Sequence, residues 1–345
     1  MKKYNPFDSQ SKMIFHSDKL STYVKTGDST PILLEVNLTS NCPLKCQWCS
    51  CSGKRLNENI KTGKLIRFLK QYKEYGKAVT WSGGGEPTAH PDFIKIINST
   101  KIDQGLMTCG VYSSSYNKDI EKNCNWVRFS VDSADRERYA RLKGVDTLEQ
   151  VKKNIAMLDK SKIKVGINMN LPNQSEFNYR KEVYSLFSLA IQLKVHYFQI
   201  RPVLPSPETK WTKKYLKEQM EFLESIDNKE INGTKIIISW DKYNDLMLED
   251  NGRDYKKCSG HIFEPIVDSN GDLCVCMYKT KDSDFVFGNI YKQTFRELWS
   301  SDKRNLVKLH CDKMNFKKCQ ICCKCHEINK FIKFIDNKEG DINFI

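Results

Sequence analysis

Ten of the fourteen cysteines stand in tight groups, at 42, 46, 49 and 51, at 274 and 276, and at 319, 322, 323 and 325. A disulfide framework would spread them, so in a reducing compartment thiols this close together point to metal. The most informative segment is NLTSNCPLKCQWCS, in which Cys42, Cys46 and Cys49 form a CxxxCxxC loop. A structural zinc or a ferredoxin-like cluster wants four thiolates. Three in one compact loop suggest a cubane with one iron left open for an exogenous ligand. Cys51 makes a poor fourth ligand, because two residues on from Cys49 is a strained position for the same cubane.

The loop follows a strand-like run, ILLEVNL at 32 to 38, and further runs of this kind fall at 78 to 82, 107 to 113, 126 to 132, 164 to 171 and 196 to 203. Each is short and rich in β-branched or aromatic residues. Between them, apolar residues recur at helical spacing, as in Leu65, Leu69 and Tyr72, and in Leu148, Val151, Ile155 and Leu158. Thr147 and Gln150 read as a capping box for the latter helix. Alternating strands and helices imply parallel β/α units, and such folds place active sites at strand C-terminal ends, where the three-cysteine loop lies. On the fifth and sixth strands Asn168, Asn170, Gln199 and Arg201 are polar at alternate positions in apolar runs, so they share the inner face and need partners there.

The three-cysteine loop, with aromatic Trp48 before its last cysteine, resembles the defining motif of the radical S-adenosylmethionine (SAM) superfamily. Two further segments strengthen the likeness: TWSGGGEPTAHP looks like the family's GGEP motif, and RFSVDSADRERYARLKG like its SxD element. The resemblance implies a partial (β/α)6 TIM-like barrel and a 4Fe-4S cluster on Cys42, Cys46 and Cys49. The cluster binds SAM and cleaves it to a 5'-deoxyadenosyl radical, with a flavodoxin or ferredoxin as electron donor. It implies Trp48 beside the adenine, with Gly84 and Gly85 admitting the methionyl part of SAM and Glu86 accepting from its ammonium. Ser130 and Asp132 would approach the ribose or carboxylate, Arg141 would pair that carboxylate, and Asn168 and Gln199 would serve as further cofactor contacts. The third strand departs from the family, with Tyr112, Ser113 and Ser114 in place of a Thr-Asn-Gly turn.

After Pro202 and Pro205 come a charged helix near 211 to 226, a strand at 235 to 240 and a boundary near 250. Asn270-Gly271 between alternating runs reads as a hairpin that puts Cys274 and Cys276 on one face, and a helix is expected over 289 to 300. Cys258, Gly271, Cys276 and the CxxC of Cys319 and Cys322, with FGNIYKQTFRELW between, resemble the SPASM and shorter twitch extensions of radical SAM enzymes. That likeness implies one auxiliary 4Fe-4S cluster on Cys258, Cys276, Cys319 and Cys322; Cys274, Cys311, Cys323 and Cys325 make a second numerically feasible. A structural zinc site is the competing assignment for these thiols. Cys109 and Cys124 read as core or helix cysteines, although a thiol near the barrel could also donate a hydrogen atom. The expected organisation is an N-terminal extension over 1–30, the barrel and connecting segment over 31–250, the SPASM/twitch-like domain over 251–335 and a tail over 336–345.

At 345 residues the chain has room for about two domains at roughly 150 residues each. Its longest uncharged apolar stretch, near Val183 to Leu193, falls short of the ~20 residues of a membrane helix, so no membrane partner is expected. MKKYNPFDSQSK leads into no apolar signal core, which favours the cytoplasm. A net charge of +14 suits anionic partners, yet interleaved Lys and Glu also make an ordinary solvated surface. Two substrate classes fit. One is a small polar molecule such as a sugar, nucleotide sugar or aminocyclitol, oxidised or epimerised with the auxiliary cluster as electron acceptor and with Tyr112 or Arg201 holding or deprotonating its hydroxyl. The other is a ribosomal peptide, crosslinked or epimerised. A metal-stapled nucleic-acid binder is a third class, but it would lack the GGEP-like and SxD-like strand ends.

Overall fold

The computed structural model describes residues 9–51, 57–173, 178–204, 212–248, 253–316, 319–321 and 323–337. Its strands are β1 (Leu33–Asn37), β2 (Ala78–Ser82), β3 (Asp103–Thr108), β4 (Trp126–Ser130), β5 (Lys164–Leu171), β6 (Tyr197–Pro202), β7 (Glu230–Ile231), β8 (Thr234–Ile238), β9 (Ile266–Val267), β10 (Asp272–Cys274) and β11 (Val286–Asn289). The chain divides into two compact units, one holding residues 37–59 and 80–247, the other residues 4–36, 60–79 and 248–345. The second unit therefore takes the N-terminal segment, most of β1 and the helix Thr62–Tyr72 along with the cysteine-rich region.

In the first unit β3, β4, β5, β6 and β8 pair in parallel, with β7 antiparallel on β8. Helices between the strands make these β/α units, as the alternating pattern demands. Along β5, Val165, Ile167, Met169 and Leu171 are fully buried against the helix layer, and Gly166, Asn168 and Asn170 alternate with them on the other face. The same alternation sets Phe198 and Ile200 of β6 against Gln199 and Arg201. Burying that apolar face drives assembly, at roughly 25 cal/mol per Å² of apolar surface removed from water.

Three local expectations differ from what is observed. The third strand runs over Asp103–Thr108 rather than 107 to 113, because Gly110 takes φ +82° and turns the chain after Thr108. The capping box at Thr147 does not form: Thr147 pairs with the Tyr139 hydroxyl at 3.2 Å, and Gln150 donates to the Tyr112 carbonyl at 3.1 Å. Instead of a helix over 289 to 300, β11 ends at Asn289 and a short helix spans Phe295–Trp299, opened by a capping box of Thr294 and Glu297.

In the second unit β1 pairs in parallel with β9, and β9, β10 and β11 form an antiparallel set. The Asn270-Gly271 hairpin is present, with Gly271 at φ +86°. Met13, Tyr23, Ile262, Phe263, Ile328 and Ile332 make one buried cluster, which packs the helices Ser17–Thr26 and Lys324–Asn337 together.

Candidate active site and auxiliary cysteine site

The three-cysteine loop is fixed by backbone hydrogen bonds rather than by secondary structure of its own. Thr39 makes an isolated bridge with Asn59, and Ser40 N donates to the Glu58 carbonyl at 2.9 Å. On the other flank, Lys45 N donates to the Lys143 carbonyl at 2.8 Å and Gln47 N to the Leu142 carbonyl at 2.9 Å. The last carbonyls of the helix Arg136–Lys143, which an α-helix leaves unpaired, thus hold the segment between Cys42 and Cys49. Gly144 ends that helix at φ +73°, and a Cβ there would lie 2.8 Å from Lys45.

The glycine-rich turn after β2 is seated on the same loop. Gly85 N donates to the Thr39 carbonyl at 2.8 Å and Glu86 N to the Asn41 carbonyl at 2.7 Å, and a Cβ on Gly85 would come within 2.0 Å of the Asn41 oxygen. The close approach that requires glycine at 85 is therefore first of all one between the two loops. Glu86 is buried, and its Oε1 accepts from Thr88 N, the Thr88 hydroxyl and the Thr108 hydroxyl at 3.2, 2.7 and 2.6 Å. Its Oε2 accepts from Cys109 N at 2.6 Å, so a ligand ammonium finds room at Oε2 alone.

Asp132 lies beyond the end of β4, only 1% exposed, and its Oδ2 accepts from Lys143 Nζ at 2.7 Å. Its Oδ1 accepts from Asn170 N at 2.8 Å and Asn170 Nδ2 at 3.2 Å. Burial works against the Lys143 charge, but Asp132 and the nearby Cys46 outweigh it and raise the ammonium above its ordinary value. Lys143 is the buried cation of its helix; the expected one, Arg141, is exposed to solvent and so is poorly placed to grip a carboxylate in the site. Nothing in the spacing marked Lys143, although its position at a helix end, where cations are favoured, is one usable signal.

Burial pushes the Cys46 thiol up to about 11, with Lys143 pulling it down and Asp132, Cys42 and Cys49 adding to the rise. The three loop thiols are therefore near enough to sense one another, all half-buried and none in a disulfide. Among the described residues, Trp48 Nε1 and Asn168 Oδ1 are buried without a hydrogen-bond partner. Three mutually close thiols suit an iron–sulfur cluster, since iron binding would displace the thiol protons, and the orphaned polar groups suit a polar ligand.

The two residues expected to handle a substrate hydroxyl fare differently. Tyr112 is a core residue: its hydroxyl donates to Asn117 Oδ1 at 3.0 Å, its ring stacks between Tyr116 and Phe129, and burial raises its phenol far above the ordinary value. That removes it as a base. Arg201 is half-buried at the end of β6, beside Asn170 in register. Gln199, by contrast, is engaged, accepting from Arg128 NH1 at 2.8 Å and donating to Ser239 Oγ at 2.9 Å.

In the second unit, Cys258, Cys276, Cys319 and Cys323 are half-buried; burial raises the Cys276 thiol, and the charges of Cys258, Cys323 and Cys319 add to the rise. Cys322 lies outside the described residues. Cys258 is held low by a hydrogen bond from Cys325, with Asn329 Nδ2 donating to its sulfur at 3.3 Å. Asn329 Oδ1 in turn accepts from Ser259 N and Gly260 N at 2.8 and 2.7 Å, and Arg253 donates to Cys323 Sγ at 3.4 Å. Spacing alone did not reveal that Cys323 and Cys325 join this gathering. Cys274 and Cys276 do not share a face: β10 ends at Cys274, which is fully buried against Ile266 and Val286, and Cys276 turns toward the other thiols. Between Cys323 and Cys325, Lys324 Nζ donates to Glu35 Oε2 at 2.8 Å and Glu264 Oε1 at 3.0 Å.

Comparison with known proteins agrees with this layout. The family model described as the radical SAM superfamily matches residues 36–187, and that of the SPASM iron-sulfur cluster-binding domain matches residues 258–326. A probable GTP 3',8-cyclase of Pyrococcus abyssi is 30% identical over 141 residues, 39% of this chain and 46% of that protein, so the chain spans just under half of that relative. One from Methanococcus vannielii is 28% identical over 247 residues, 60% of this chain and 82% of that protein. Among solved structures, Streptococcus suis SuiB bound to precursor peptide SuiA superposes with a TM-score of 0.66 at 17% identity, over 95% of this chain and 78% of that one. Native anSMEcpe with bound AdoMet gives 0.59 at 19% identity, over 89% and 98%. These likenesses show the fold, an α/β partial barrel with a cysteine-rich C-terminal domain. The chain carries a radical SAM domain followed by a C-terminal SPASM iron–sulfur cluster-binding domain.

Proposed function

We infer that the protein cleaves SAM reductively at a 4Fe-4S cluster on Cys42, Cys46 and Cys49 and removes a hydrogen atom from a small polar substrate, which is oxidised or epimerised. When bound, the cluster and SAM supply a 5'-deoxyadenosyl radical. The observation that carries this function is the convergence of three mutually close thiols with the locked GGEP-like turn and the Asp132–Lys143–Asn170 set. The chain's own residues divide the work. Carbonyls of Leu142 and Lys143 fix the loop, Glu86 ties the turn to the end of β3, and Trp48 and Ser130 offer polar groups to SAM. Asp132 and Lys143 neutralise each other, so the site holds neither charge uncompensated. Cys258, Cys276 and Cys319, with Cys323 or Cys325 beside them, offer thiols for the auxiliary cluster, which would accept the second electron of an oxidation. A flavodoxin or ferredoxin would supply the first.

A small substrate accords with the curated relatives, which are named for GTP, a compact polar molecule. Peptide modification is the second reading, favoured by the extent of overlap with the peptide-bound SuiB fold. Anaerobically reconstituted protein with dithionite should form 5'-deoxyadenosine from SAM, and changing Cys42, Cys46 and Cys49 together to Ala should abolish it. Full cleavage by the triple variant would refute the assignment.

A further inference from the structure

Most polar side chains on the face shared by β4, β5 and β6 account for one another. Arg128 is tied to Gln199 and Gln199 to Ser239, while Asn170 is tied to Asp132. Three groups are left over. The Ser130 hydroxyl, the Asn168 carboxamide and the Arg201 guanidinium have no hydrogen-bond or ion-pair partner among the described residues, and Asn168 is only 4% exposed. They stand on three consecutive strands. Register puts Ser130 beside Asn168, Asn168 beside Gln199 and Asn170 beside Arg201, so Arg201 sits one strand over and one rung nearer the C-terminal ends than the Ser130–Asn168 pair.

A buried carboxamide with nothing to bond is costly, and a half-buried guanidinium without a counterion is more so, unless a ligand completes both. The charges nearby give that ligand a sign. Arg128 adds a second guanidinium to this face, whereas Asp132 is neutralised by Lys143 and Glu86 Oε1 is saturated by three donors. Among the described residues the carboxylate oxygen left open here is Glu86 Oε2, which the reading above gives to the SAM ammonium, so none remains for a cationic substrate.

We propose that Arg201 anchors an oxyanion of a small substrate, a phosphate or a carboxylate, through the two parallel bonds its planar fork can make, while the neighbouring Asn168 amide takes a hydroxyl or amino group. This deepens the small-substrate reading above and rests on it: Arg201 holds the substrate rather than deprotonating it. A guanidinium stays protonated at any working pH, so anchoring suits it better than base catalysis. The net charge of +14 would raise the encounter rate with such an anion.

The test uses the reconstituted full-length holoenzyme with SAM, titrated calorimetrically with inorganic pyrophosphate and with succinate as phosphate and carboxylate probes, in wild type, Arg201→Lys and Arg201→Gln. One probe should bind wild type, and which one does identifies the oxyanion. Its affinity should fall at least tenfold in Arg201→Gln and less in Arg201→Lys, while SAM affinity stays within twofold. Absence of binding by both probes, or unchanged affinity in Arg201→Gln, overturns the proposal. So does a parallel loss of SAM affinity, which would give Arg201 to the SAM carboxylate instead. If wild type makes no 5'-deoxyadenosine from SAM, the underlying function fails separately.

Discussion

Replacing Lys143 by Met removes one partner from a buried ion pair whose side chains are 3% and 1% exposed. Breaking such a pair typically costs about 3–5 kcal/mol, because the remaining charge stays buried. Here Asp132 Oδ1 keeps both bonds from Asn170 but Oδ2 loses its ammonium, which argues for the lower end, about 3 kcal/mol. With a urea dependence of about 3 kcal/mol per M, the midpoint should fall by about 1 M. Circular dichroism of the metal-free chain would measure it. Adding Asp132→Asn should recover a large part of the loss, since a neutral amide has no charge to strand. The sign with pH is also fixed. The Lys143 ammonium is raised in the folded state, so its contribution is complete below the unfolded lysine value of about 10.4 and fades only as pH rises through the folded one. Between pH 6 and 9 the difference between wild type and variant should therefore stay flat. A loss well under 1 kcal/mol, or one that the second substitution deepens, would refute the ion-pair account.

Gly85→Ala should loosen both loops, because its Cβ would meet the Asn41 carbonyl at 2.0 Å; iron bound per chain after reconstitution should drop, and full iron content would contradict the packing argument. Tyr112→Phe should lower stability by about 0.5–1.5 kcal/mol through one lost hydrogen bond and leave 5'-deoxyadenosine formation near wild type, whereas a tenfold fall in rate would return Tyr112 to the chemistry. Burial pushes His261 down to about 3, so the unfolded chain takes up its proton first as pH falls below about 6.5. Its share of stability should then decline toward lower pH by up to about 1.4 kcal/mol per unit, a slope that His261→Phe should flatten in urea titrations at pH 5 and 7.

The chemistry was legible because it is local: three thiols within eight positions and a glycine turn one strand later need no tertiary knowledge. Strands β5 and β6 were legible too, since period-2 alternation between Val165, Ile167, Met169 and the intervening polar residues is imposed by the pleat. What escaped depends on partners far apart in sequence. Lys143 looks like any lysine at a helix end until the fold brings Asp132 to it. Thr147 and Gln150 have the right types and spacing for a cap, but Tyr139 and the Tyr112 carbonyl compete for them and win. Likewise, spacing tells that thiols gather near the C-terminus, but not that Cys325 would bond Cys258 while Cys274 faces an apolar cluster.

The Lys324 ammonium has a bearing on how separable the C-terminal region is. Matching of the two sequence families begins at 36 and ends at 326, and Glu35 lies just outside it. Yet Glu35 supplies one of the two carboxylates that hold Lys324, and its strand pairs with Ile266 of β9. A transplant of residues 258–326 onto a foreign scaffold would arrive with Lys324 short of one counterion and β9 short of a neighbour. The heritable module, in the sense of the smallest piece that could be moved intact, thus includes β1 and cannot be cut out as one continuous stretch.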